Sequence, residues 1–155
     1  KTLKTKPMIN IYTPEYFMRK ALAEAQKAYD EGEIPVGAVI VANNQIIAKA
    51  YNQTERLQDV TAHAEMLAIT AASDYLGTKY LNDCTLYVTL EPCPMCAGAL
   101  AWSQIGKIVF AAADAKKGFS LINNPLLHPK TIIEKGVLTN ECQELLQRFF
   151  RERRK

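Results

Sequence analysis

Leu86-Tyr87-Val88-Thr89-Leu90-Glu91-Pro92-Cys93-Pro94-Met95-Cys96 runs from an apolar strand, through a break, into a helix start. The stretch from Thr85 to Leu90 is rich in β-branched and aromatic residues, Glu91-Pro92 ends it, and Pro94 has the fixed φ that suits a first helical position. Cys93 and Cys96 therefore open a helix that should continue to about Trp102, and their i, i+3 spacing puts both thiols on one side of a turn. Upstream, Thr61-Ala62-His63-Ala64-Glu65 reads as a second start: Thr61 caps a helix to about Tyr75, with His63 and Glu65 in its first turn.

Working outward, Thr13-Pro14-Glu15 is a cap, a first-turn proline and an acid, ahead of a helix to about Asp30 that Gly32 closes. Val36–Ala42 and Gln45–Tyr51 are β-rich runs joined by Asn43-Asn44, two residues that tolerate positive φ, which predicts a hairpin. Lys107–Ala111 and Ile132–Val137 read as further strands, and Asn140–Arg153 as an amphipathic helix. The stretch between Ala112 and Pro129 is longer than a connection needs, so it is a candidate substrate-contacting loop. Helices alternating with strands predict an α/β fold, a three-layer α/β/α sandwich around a central mixed sheet of about five strands. Residues 1–12 read as an N-terminal extension and 13–155 as one domain, a size that supports a core of its own.

The chain has 48% apolar and 23% charged residues, ordinary for a soluble globular protein, and no apolar run long enough to span a membrane. Lys1–Asn10 lacks the apolar segment of a signal peptide, which predicts a cytoplasmic protein. Of the four cysteines, Cys84 and Cys142 lie in apolar strand and helix patterns and read as small buried hydrophobes, which leaves Cys93 and Cys96 for chemistry. Net charge is +3, but Arg148, Arg151, Arg153, Arg154 and Lys155 against Glu152 put +4 in the last eight residues, so the basic surplus is local. Two aromatics, Phe149 and Phe150, lie among these arginines, a combination that suits stacking on unpaired bases with phosphate neutralisation. Adjacent helical residues point about 100° apart, so one of the two should face the core.

His63, Cys93 and Cys96 are three zinc ligands, and structural zinc sites normally have four. With three, one zinc per subunit keeps a position for water and lowers its pKa. Glu65, two residues from His63, is placed beside that water as general base and acid rather than as a ligand. Helix N-termini favour thiolate over thiol, the form zinc needs. Such a site suits hydrolytic removal of an amino group from an electrophilic ring carbon. Two other readings exist, a closed zinc knuckle using His128 as fourth ligand and a thioredoxin-like Cys93/Cys96 redox pair, and both leave Glu65 idle.

These motifs resemble the zinc-dependent cytidine deaminase superfamily, whose H-x-E…P-C-x-x-C signature they carry. Within it the chain is most similar to the bacterial tRNA-specific adenosine deaminases, through Glu33-Ile34-Pro35-Val36-Gly37-Ala38, Asn52, Thr61 to Glu65, Leu86 to Cys93, Cys96-Ala97-Gly98-Ala99 and Phe149-Phe150-Arg151. The resemblance spans about Pro14 to Arg154 and implies a hydrolase that converts the wobble adenosine of a tRNA anticodon to inosine. It implies that Asn52 binds the purine edge, that Ile34, Val36 and Leu90 wall the base pocket, and that Ala64 meets the base through its backbone. It further implies substrate contact by Asp114, and contact with the anticodon stem-loop by Lys116, Phe149, Phe150, Arg151, Arg153 and Arg154. A homodimer is implied as well. This chain departs from the family's loop pattern, with Ala113 standing where an arginine is usual and His128-Pro129 where an Asn-His pair is usual. The alternatives are a zinc deaminase of a free base or nucleoside such as guanine, cytosine or cytidine, which needs no basic aromatic terminus, and a catalytically silent zinc module, which needs no Glu65.

Overall fold

The computed structural model describes residues 10–153. Helix α1 (Pro14–Asp30) starts where its signals place it, with the Thr13 hydroxyl accepting from the Tyr16 N–H at 3.1 Å. Strands β1 (Gly37–Ala42) and β2 (Gln45–Tyr51) form the expected hairpin, and Asn43 and Asn44 both take positive φ, 50° and 59°, as a two-residue turn of this hand requires. Then follow α2 (Ala64–Leu76), β3 (Thr85–Leu90), α3 (Pro94–Ser103), β4 (Lys107–Ala112), a short 3-10 turn (Phe119–Leu121), β5 (Ile132–Lys135) and α4 (Thr139–Arg153). The last strand is shorter than its sequence promises, because Gly136 turns away at φ 89°.

The sheet order is β2-β1-β3-β4-β5; β1 runs antiparallel to β2 and β3, while β3, β4 and β5 are parallel. Alternate residues of the central strands feed two cores. Ile40, Leu86, Val88, Ile108 and Phe110 face one way and pack with Ala64, Ala68, Ala72 and Leu100 of α2 and α3. Val39, Val41, Tyr87, Val109 and Ala111 face the other way and pack with Phe17, Met18 and Ala21 of α1 and Cys142 of α4. The three-layer mixed-sheet sandwich expected from the sequence is what forms. All four cysteines are free, and Cys84 and Cys142 are buried as small hydrophobes. Among the described residues no helix is long and apolar enough to cross a membrane.

Two starts are shifted by their surroundings. Thr61 does not cap α2: its N–H and hydroxyl both donate to the Asp59 carboxylate, at 2.8 and 2.7 Å, in a turn that ends before the helix. The cap is His63, extended at ψ 154°, and in α3 the cap is likewise Cys93, at ψ 168°, rather than a first-turn residue.

Close approach of α1 to β1 fixes how this helix seats on the sheet. A Cβ on Gly37 would collide with the Ala21 carbonyl oxygen and the Ala25 nitrogen, both fixed backbone. Gly37→Ala is expected to destabilise the fold by about 3 kcal/mol, the upper end for overpacking, read as a lower urea midpoint at unchanged slope.

Candidate metal and catalytic site

The same geometry is built twice. His63 and Cys93 are N-caps whose side chains make no capping hydrogen bond, so both are free to turn toward a common point in front of the two helix starts. Cys96, in the first turn of α3, completes the cluster: the Sγ atoms of Cys93 and Cys96 lie 3.7 and 3.4 Å from His63 Nδ1. All three donor atoms lie within 4.8 Å of one another. Tetrahedral zinc with bonds near 2.3 Å to sulfur and 2.0 Å to nitrogen places its sulfur and nitrogen ligands about 3.6 Å apart. The spacing and donor chemistry fit zinc, which His63 would hold through Nδ1, the ring nitrogen that faces both sulfurs.

Protons tell the same story. Within the cluster the Cys93 thiol is lowered to about 4, first by a hydrogen bond with Cys96 and also by His63. Cys96 is pushed up by that same partner and by burial. His63 is raised, first by Cys93, with Lys117 opposing. Two adjacent thiols thus stabilise one thiolate between them, and ionising both calls for a cation at their centre.

Glu65 is 4% exposed and is not among the clustered donors. Burial pushes its carboxyl up to about 7, with its own backbone N–H and His63 pulling the other way. A carboxyl near 7 exchanges a proton in either direction at neutral pH, which is what an acid/base relay requires. Cys96 is fully buried while His63 and Cys93 are partly exposed, so the cluster opens to solvent on one side. His128 lies at the other end of the parallel strands, beside Asn82, Gln104 and Gly106, where it cannot serve as a fourth ligand. The zinc-knuckle reading falls with it.

The expected pocket residues are connected to the cluster through backbone bonds. Val36 O accepts from Asn52 N at 3.0 Å, and Gln53 N donates to Ala62 O at 3.0 Å, which sets Asn52 close to the His63 cap. The Asn52 amide donates to Ile34 O and its carbonyl oxygen accepts from Thr54 N, so one N–H and one lone pair are left over. Ala64 is buried at the first position of α2, while Val36 and Leu90 are half-buried and Ile34 is exposed. Asp114 is half-buried, with Oδ1 accepting from the N–H groups of Lys116 and Lys117 at 3.0 Å, so that oxygen organises a turn; Lys116 itself is exposed.

At the C-terminus the expected aromatic pair divides. Phe149 is 7% exposed and packs against Tyr29, so its packing removes it from the surface proposed to meet RNA, whereas Phe150 is 42% exposed. Arg153 lies over the Phe149 ring at 4.6 Å and donates to Gly32 O at 2.7 Å, which fastens α4 beside the Glu33-Ile34 segment. Arg151 is exposed, and Arg154 lies outside the described residues.

Two buried acids escaped the sequence reading. Glu33 accepts from the N–H groups of Glu55 and Arg56 at 2.9 and 2.8 Å, and Glu91 from those of Asp114 and Ser120 at 3.1 and 2.9 Å. The available signal was an acid one or two residues before a proline, Glu33-Ile34-Pro35 and Glu91-Pro92, in each case where an element gives way to a loop.

Residues 11–112 match the model of the cytidine and deoxycytidylate deaminase zinc-binding region. A tRNA-specific adenosine deaminase of Aquifex aeolicus is 50% identical over 90% of this chain and 95% of its own. A solved structure from a study of A-to-I editing by tRNA:A34 deaminases at the wobble position of transfer RNA is 39% identical at a TM-score of 0.80, covering 84% of this chain and 99% of that one. A guanine deaminase of Bacillus subtilis is 41% identical over 68% of this chain and 66% of its own, at a TM-score of 0.62.

Glu65→Gln is expected to keep its zinc by metal analysis and to lose turnover by about 10²- to 10⁴-fold, the usual share of a general acid/base. Loss of zinc would instead make Glu65 a ligand. In the metal-free chain the raised carboxyl favours folding below about 4.5, and that contribution is lost as pH rises through about 7. Metal-free Glu65→Gln should therefore melt above its parent at pH 8, with the gap closing by pH 5.

Proposed function

This chain belongs to the cytidine and deoxycytidylate deaminase zinc-binding family, and from that premise we propose that it hydrolyses the wobble adenosine of a tRNA anticodon to inosine and ammonia. The observation that carries the chemistry is the cluster of His63, Cys93 and Cys96 beside a buried, non-ligating Glu65. When bound, the zinc supplies a Lewis acid that lowers the pKa of a water in its fourth position.

Around it the chain's own groups divide the work. Glu65 takes one proton from the attacking water and passes it to the ring nitrogen beside the reacting carbon; it then relays the second to the amino group, which leaves as ammonia as the C–N bond breaks. Asn52 has one donor and one acceptor left for the purine edge. Ile34, Val36 and Leu90 offer apolar contact to the base, and the Ala64 N–H lies at a helix start, where it has no intrahelical partner. Asp114 shapes the loop opposite, with Lys116 facing solvent on it.

Polyanionic substrate is favoured over a free base by the 50% identity to a tRNA-specific enzyme along nearly the whole chain and by the exposed Phe150 and Arg151 on α4. Likeness to a guanine deaminase over two thirds of the chain supports the second reading, a free purine in the same site. A homodimer is supported by the large apolar side chains on the outer surfaces of α2 and α3, among them Tyr75, Met95 and Trp102, the last 86% exposed. Four free thiols and a tRNA substrate fit the reducing cytoplasm.

Incubation with an anticodon stem-loop bearing a wobble adenosine should yield inosine, and incubation with guanine, cytosine or cytidine should release no ammonia; turnover of the free bases alone would reverse the choice. In the same assay Phe150→Ala should weaken stem-loop binding by about 1–3 kcal/mol, the worth of one base stacked on an aromatic ring. Trp102→Glu should shift the chain from dimer to monomer in sedimentation, and a monomeric parent would remove the dimer from this proposal.

A further inference from the structure

Glu91 has no part in the proton relay, yet it is 3% exposed and lies two residues before Cys93. Its backbone N–H donates to Ala112 O at 2.8 Å and extends the β3–β4 pairing by one residue. The side chain then reaches across to the loop after β4, with Oε1 accepting from Asp114 N at 3.1 Å and Oε2 from Ser120 N at 2.9 Å. Between these two anchors the loop closes on itself: Gly118 N donates to Asp114 O at 3.0 Å, and Phe119 N to Pro92 O at 2.9 Å. Residues 114–120 thus form a ring around one carboxylate.

Gly118 supplies independent evidence that this packing is specific. Its φ and ψ are −65° and 146°, which any residue adopts, so glycine is not there for conformational freedom. A Cβ would instead come within 2.5 Å of both Glu91 oxygens. The ring contains Lys116 and Lys117, both exposed, and its bond from Phe119 N to Pro92 O seats it one residue from Cys93.

We propose that Glu91 is a positioning residue that holds the 114–120 loop as one wall of the site mouth, with Lys116 and Lys117 presented to an anionic substrate, and that Gly118 is small because the Glu91 carboxylate occupies its side-chain space. This rests on the deaminase reading for the substrate, but not for the clamp. A carboxamide at position 91 keeps the size yet turns one acceptor into a donor facing an N–H. The predicted fault is therefore in binding, not in the chemical step.

In the zinc-loaded protein, Glu91→Gln should raise KM for the anticodon stem-loop roughly tenfold, the scale of one hydrogen bond to a charged acceptor. The variant should leave kcat within about threefold and zinc content unchanged, because no proton-transfer group has moved. The amides of Asp114 and Ser120 should exchange with solvent at least about tenfold faster. Gly118→Ala should produce the same KM effect and a lower urea midpoint in the parent, with little further effect of either kind in a Glu91→Ala background, where the space is vacated, so the pair is non-additive in binding and in stability. Loss of zinc or a collapse of kcat in Glu91→Gln would overturn the proposal in favour of a role in shaping the Cys93 turn. Unchanged amide exchange, or an equal cost of Gly118→Ala in both backgrounds, would overturn it as well. A parent inert on the stem-loop would sink the functional reading alone, since exchange and the double-mutant cycle on stability read the clamp without turnover.

Discussion

The meeting of two helix N-termini at one point is the constraint on which the site depends. Extended backbone at His63 and Cys93 turns each cap side chain away from its own helix, and neither spends its donor atom on capping. Both helices then present partial positive charge and free N–H groups to the same small volume, which favours thiolate there. The strand that ends at Leu90 sets the height of the Cys93 turn, and the ladder of loop bonds through Val36, Asn52 and Ala62 sets that of His63. A metal ion held by His63, Cys93 and Cys96 would tie the start of α2 to the start of α3.

Three buried glutamates show how partners decide the use of one side chain. Glu33 and Glu91 each use both oxygens on backbone amides of a distant loop, and they serve as cross-links. Glu65, as deeply buried, has its own backbone N–H and the three cluster residues as neighbours, and burial raises its proton affinity to near neutrality. A buried carboxylate satisfied by amides is a structural post, and one short of such donors is a proton carrier.

The C-terminal helix has a double part. Its basic residues looked like a single patch in the sequence, yet Arg148 lies over Tyr29 at 4.8 Å, and Arg153 covers Phe149 and bonds Gly32 O. These contacts brace the turn that leads to Glu33 and Ile34, so the surface proposed to meet a nucleic acid and the wall proposed to meet a base are parts of one packed unit. Among the described residues, Arg148 and Arg153 are exposed but committed to these contacts, and Arg151 and Phe150 are exposed beside them.

Periodicity, prolines and the Asn43-Asn44 pair made nearly every element legible, because those signals act over a few residues. The metal ligands and Glu65 were legible for the same reason: ligand type and i, i+3 spacing are local chemistry. Sequence alone therefore determined the layer order, the donor set and the kind of reaction such a set supports. Only the tertiary structure decided that Asp59 draws Thr61 off the helix cap and makes His63 the cap, that Phe149 turns inward and Phe150 outward, and that Glu33 and Glu91 fasten loops more than twenty residues away. Apart from the Asp59 turn, which competes with the cap over two residues, each of those outcomes depends on a partner far along the chain, and a buried acid or an aromatic ring has no meaning until the packing around it is known.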